Sequence, residues 1–95
     1  MVVYHPAVQK DVNRILSYYD QRSNVLGSEF WQELKRVIAR AAQNPERYHP
    51  ANKRLRRANL MRFPYHVLFR TIPQAIRVTA VRHDKSHPQR ALRRH

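Results

Sequence analysis

The sequence predicts an α+β domain with the element order β-α-α-β-β-β, a helical hairpin packed on one face of an antiparallel sheet. Three observations point there: a β-prone start at Val2-Val3-Tyr4, two adjacent stripes of apolar residues at helical spacing, and three strand-like runs separated by proline turns. A chain of 95 residues without cysteine has neither disulfides nor thiolate metal clusters to brace it. Its apolar residues are therefore expected to form one core over residues 1–95, with 84–95 a basic C-terminal tail.

Val2-Val3-Tyr4 is followed by Pro6, whose missing N–H suits the first position of a helix. From Pro6 to about Gln21 the residues Val8, Val12, Ile15, Leu16 and Tyr19 recur at three- and four-residue steps. Lys10, Asp11, Arg14 and Asp20 then fall on faces assigned to water. Ser23 and Asn24 offer N-cap side chains to a second helix, whose stripe is Leu26, Phe30, Leu34, Val37, Ile38 and Ala41. Gly27 weakens its first turn, and Asn44-Pro45 ends it, because proline disfavours helical geometry in the residue before it. The shared apolar side of such a hairpin needs a third surface to cover it.

That surface is a meander of strands at 54–62, 65–71 and 75–82, turning at Phe63-Pro64 and Pro73-Gln74. Period-two counting points Ala58, Leu60, Tyr65, Val67, Phe69, Ile76, Val78 and Ala80 towards the helices. Arg57, Asn59, His66, Arg70, Arg77 and Thr79 then share the opposite face, interrupted by Leu68 and Val81. The pairing partner of the first strand stays open. Gln89 to His95 reads as a frayed or partner-bound tail.

Charge is divided unequally along the chain. The net charge is +13, but residues 1–48 carry seven cations against five acids, whereas residues 49–95 carry twelve cations against Asp84 alone. Such a half repels itself and gains from an acidic partner, whether nucleic acid or protein. The first residues show no basic start followed by an apolar segment, and no run approaches a membrane span. The expectation is a cytoplasmic protein without membrane contact.

The run Arg62-Phe63-Pro64-Tyr65-His66-Val67-Leu68-Phe69-Arg70 precedes Ile76-Arg77-Val78-Thr79-Ala80-Val81-Arg82-His83 and Pro88. With the hairpin ending in Asn44-Pro45, these residues resemble the RelE/ParE superfamily of bacterial toxins over nearly the whole chain, the ParE-like branch being favoured. The resemblance implies two helices packed on an antiparallel sheet, and neutralisation by an acidic antitoxin encoded beside the toxin. RelE-type members cut messenger RNA in the ribosome. That reaction needs a base for the 2′-hydroxyl, cations for the phosphorane and an acid for the leaving oxygen. If this chain is such a nuclease, the catalytic candidates are His66, His83 and Arg57. His66 stands where RelE has an arginine, His83 aligns near a catalytic histidine of some relatives, and Arg57 matches an RNA-contacting lysine. Asp84 falls at or beside another RelE arginine, where an acid opposes phosphate binding.

ParE-type members instead inhibit DNA gyrase as binding proteins and need no proton-transfer pair. For that mode the binding candidates are Arg54, Arg56, Arg57, Arg62, Arg70, Arg77, Arg82, Lys85 and Arg90. No cofactor is implied by either mode. His83 and His87 lie four apart without carboxylate partners, so no metal site is expected. Trp31, beside the second stripe, edges the core or helps clasp an antitoxin. The leading expectation is a toxin that binds gyrase, the alternative a ribosome-dependent endoribonuclease. A nontoxic RNA-binding protein is a remote third, because Tyr65 and Phe69 are assigned to the helix side and leave no exposed aromatic pair for stacking bases.

Overall fold

The computed structural model describes residues 1–86 and 94–95. β1 (Val2–Tyr4) leads into α1 (Val8–Asp20) and α2 (Asn24–Gln43), and a short 3-10 turn at Pro45–Arg47 precedes β2 (Arg56–Asn59), β3 (Tyr65–Ile72) and β4 (Ala75–His83). The element order is the one the sequence predicts. α1 begins two residues later than expected, because Pro6 and Ala7 form a turn in which the His5 ring Nδ1 accepts the Ala7 N–H at 3.0 Å. α2 starts where the sequence places it, with the Ser23 hydroxyl accepting the Val25 N–H at 3.1 Å.

The sheet runs β1-β4-β3-β2. β2, β3 and β4 form the expected antiparallel meander. β1 lies parallel to β4, with Val2 opposite Ile76 and Tyr4 opposite Val78, so the sheet is mixed rather than antiparallel throughout. The reason is topological: β4 ends the meander with an unpaired edge, and β1, from which the chain leaves to form the two helices, fills that edge.

β2 is shorter than the 54–62 run suggests. Before it, the Asn52 carboxamide oxygen accepts the N–H groups of Arg54 and Leu55, bending the chain into a turn. After it, the buried Glu33 carboxylate on α2 accepts the N–H groups of Met61 and Arg62 at 3.1 and 3.2 Å. This bond pair fixes the β2–β3 turn to the helical layer, and Glu29, one helical turn earlier, takes the Arg62 guanidinium.

The main core lies between helices and sheet and joins Val8, Val12, Ile15, Phe30, Leu34, Val37, Ile38 and Ala41 to Ala58, Leu60, Val67, Phe69, Ile76 and Val78. Rings of Tyr19, Phe30, Phe63 and Tyr65 meet edge to face or tilted within it, with centroids 5.1 to 6.2 Å apart. Two face assignments are overturned. Val81 belongs to this core, whereas Ala80 lies on the opposite face against Leu55 and Leu68. The cause is a β-bulge: Leu68 pairs with Ala80 and Phe69 with Val78, leaving Thr79 as an extra residue in β4. Alternation counted straight through Thr79 inverts everything after it. The Thr79 hydroxyl, fully buried in the bulge, donates to the Leu68 carbonyl.

Asp11 also departs from expectation. It is completely buried rather than solvated, and its Oδ2 accepts the Val81 N–H at 3.1 Å on the stretch of β4 beyond the end of β1. Its spacing from Val8, Val12 and Ile15 is that of the apolar stripe, which is the signal its charge disguised.

Candidate functional site: a cationic sheet face

The sheet face away from the helices is built by alternate residues of three strands. Arg57 and Asn59 come from β2, His66, Leu68 and Arg70 from β3, and Arg77, Ala80 and Arg82 from β4. The loop before β2 folds over its middle, where Leu55 and Ala51 cover Leu68 and Ala80 in a small second core. The face therefore presents cations at its two ends with an apolar seam between them.

At one end, Arg57, His66, Arg82 and Asp84 cluster. Asn59 stands opposite His66 on β2, and Arg82 opposite it on β4. The Asp84 Oδ1 accepts from Arg57 Nη2 at 3.2 Å and lies 2.9 Å from His66 Nδ1. Arg57 Nε also donates to the Asn59 carboxamide at 2.7 Å. His66 faces outward as expected but is buried, not solvated. Burial holds its pKa below the ordinary 6.5, opposed by the Asp84 hydrogen bond and reinforced by the charges of Arg57 and Arg82. The Arg82 Nε is buried and has no hydrogen-bond partner among the described residues.

His83 lies on the other side of the sheet. Its β3 neighbour is Tyr65, whose ring it meets at 5.0 Å, and its Nδ1 accepts the Lys85 N–H at 3.0 Å. The structure thus brings Arg57 and His66 together and separates His83 from both. Tyr65 packs in the aromatic cluster, as its parity predicts, and burial raises its phenol pKa.

The candidate binding residues divide in the same way. Arg57 and Arg82 stand at one end of the far face, Arg70 and Arg77 at the other. Arg54 and Lys85 are exposed on loops. Arg56 and Arg62 are engaged on the helical side, Arg56 donating to the Tyr48 carbonyl at 2.7 Å and Arg62 pairing with Glu29. Arg90 and His87 lie outside the described residues. No cluster of three or more metal-ligating side chains occurs among the described residues, and no described helix is long and apolar enough to cross a membrane.

Two features were not placed by the sequence, which offered only Trp31 beside the second stripe and a tail read as frayed or partner-bound. Arg94 and His95, assigned to the tail, fold back onto the sheet, Arg94 pairing with Asp11 and the His95 main-chain oxygen lying between Arg70 and Arg77. On the helical side, a cleft of about 390 Å³ opens between α1, α2 and the end of β1, lined by Tyr4, His5, Val12, Trp31, Leu34 and Lys35 among others. Tyr4 and Trp31 are exposed at its rim, with the Lys35 ammonium 5.6 Å from the indole centroid. Such an apolar cleft, with the Lys35 ammonium on its lining, suits an amphipathic segment.

Comparison with known proteins agrees with this fold. The family model described as "ParE toxin of type II toxin-antitoxin system, parDE" matches residues 2–88. Toxin ParE2 of Mycobacterium tuberculosis, in the CDC 1551 / Oshkosh and H37Rv strains, is 32% identical over 85 residues, covering 88% of this chain and 81% of the relative. Among solved structures, a chain of the chromosomal ParDE TA system from P. aeruginosa superposes with a TM-score of 0.75 at 14% identity, covering 86% of this chain and 92% of that one.

Proposed function

Since the chain belongs to the ParE toxin family of type II toxin-antitoxin systems, we propose that it arrests growth by binding DNA gyrase and that an acidic antitoxin neutralises it. The observation that carries the binding mode is the separation of His66 and His83 onto opposite faces of the sheet. Cleavage of RNA needs a base and an acid on either side of one phosphate, each within hydrogen-bond reach of it. Here His66 is buried under its bond to Asp84, and the Nδ1 of His83 is occupied by a main-chain N–H. Arg57 shares the same carboxylate oxygen as His66. Each engaged Nδ1 leaves the other ring nitrogen available, but the two rings stand on opposite faces of the sheet and do not converge on one phosphate.

A binding toxin asks only for a presented surface. The two cationic ends of the far face, together with Arg54 and Lys85, supply one that is complementary to a protein–DNA assembly. The antitoxin segment is assigned to the apolar cleft beside Trp31 and Lys35, where charge and shape both suit an acidic amphipathic helix.

The test is expression of the chain without the antitoxin. Gyrase inhibition predicts DNA-damage signalling and elongated cells. Transcripts cut within codons, with translation halted and no damage response, would replace the gyrase reading with the ribosome-dependent nuclease. Growth arrest that survives replacement of both His66 and His83 by alanine, at matched soluble protein, is the expected second result.

A further inference from the structure

The last two residues of the sequence occupy a built site. Beyond Val78, β4 has no strand on the side away from β3, because the chain of β1 has turned away into α1. Arg94 enters this notch. Its Nη1 donates to Asp11 Oδ2 at 2.6 Å and to the Thr79 carbonyl at 3.3 Å, and its Nη2 donates to Asp11 Oδ1 at 3.2 Å. A completely buried carboxylate thus meets a guanidinium fork with both oxygens.

The neighbouring residue reaches a second pair of groups. The His95 main-chain oxygen accepts from Arg70 Nε and from Arg77 Nε, each at 3.1 Å. These arginines are direct cross-strand partners on β3 and β4, a placement in which like charges repel. Among the described residues no acidic side chain lies within ion-pair distance of either. Two guanidinium groups converging on one oxygen form the arrangement that binds carboxylate or phosphate.

We propose that the Arg70–Arg77 pair is an oxyanion site, and that Arg94-His95 is a ligand the chain supplies to it in cis, anchored by the Asp11 socket. A tethered ligand competes at high effective concentration, so the site is masked while Arg94 is seated and opens to small oxyanions when Arg94 leaves.

Arginine Nε–H NMR signals followed during titration with inorganic phosphate at constant ionic strength test this. In the full chain the Arg70 and Arg77 signals should respond only at high phosphate. In a chain ending at residue 93 the same two signals should saturate at phosphate concentrations at least about tenfold lower. Truncation strands the Asp11 carboxylate, so a second variant, Asp11→Asn in the full chain, keeps an acceptor for the Val81 N–H without a buried charge. With the Arg94 socket weakened, its Arg70 and Arg77 signals should likewise respond at lower phosphate. In the truncated chain, Arg70→Gln with Arg77→Gln should abolish the response. Equal apparent affinities in full and truncated chains would overturn the proposal. So would phosphate shifts that follow Arg57 and Arg82 instead, or an Arg94 signal at the position of free arginine.

Discussion

His66 and Glu33 show how single side chains set the behaviour of this molecule. His66 has a folded-state pKa below its ordinary 6.5, chiefly through burial. The neutral ring is favoured in the fold, so the unfolded chain binds the proton more readily, and stability falls as pH drops from above 6.5 through the folded value. His5 shifts in the same direction, through burial and the charges of Arg94 and Arg77 against the opposing Asp11. Thermal melts between pH 7.5 and 5.5 should therefore show a falling Tm, less steep in His66→Gln. A slope unchanged by that substitution would remove His66 as its cause. Glu33 is buried and satisfies two main-chain N–H groups at once. Glu33→Ala leaves both without their acceptor, which costs about 1–3 kcal/mol for each group that stays dry. Chemical denaturation of the variant should show that loss, with a midpoint lowered well beyond that of an exposed control such as Gln32→Ala.

The elements were legible in the sequence wherever one periodicity ran unbroken. The two helical stripes, the Ser23 cap and the Asn44-Pro45 stop are local signals, and the structure places them where the residues imply. The sheet faces were legible only as far as Thr79, because a bulge is recorded in pairing between strands and not in the strand's own pattern. The burial of Asp11 and the seating of Arg94 were hidden for a related reason: each explains the other, and they stand far apart in the chain. Deleting Thr79 tests the bulge. Without the extra residue Val78 and Ala80 become neighbours, and plain alternation keeps Ile76, Val78 and Val81 towards the helices and Ala80 on the far face. The expected outcome is a chain that still unfolds cooperatively, and loss of the cooperative transition would show that the local twist of the bulge is required. The β3–β4 turn holds a smaller reserve. Gln74, following Pro73, has φ 62°, a region glycine occupies without a steric penalty. Gln74→Gly should stabilise by about 1 kcal/mol, read as a rise in Tm.

Over the whole molecule, the net charge of +13 is carried on a scaffold whose acids are largely committed. Asp11, Glu29, Glu33 and Asp84 each hold a named internal partner. Uncompensated repulsion among the cations then acts against the compact state, and salt should relieve it. The Tm is predicted to rise as sodium chloride increases from low to moderate concentration. A fall would mean that the internal ion pairs outweigh the repulsion. The same balance explains why the fold and the far face were readable from composition and alternation while the detailed site was not. Arg56 and Arg62 look equivalent to Arg57 in sequence, yet one binds a carbonyl and the other a helix carboxylate on the helical side.

The parallel pairing of Val2 with Ile76 also has a consequence during synthesis. β1 leaves the ribosome ahead of the helices and the other strands, and finds its sheet neighbour only after β4 has followed it out. Until then the helices have no complete sheet to cover them, and their greasy stripes remain available to chaperones. Folding of this chain is therefore a late event in translation, and polypeptides released before residue 78 lack the edge on which the opening strand must settle.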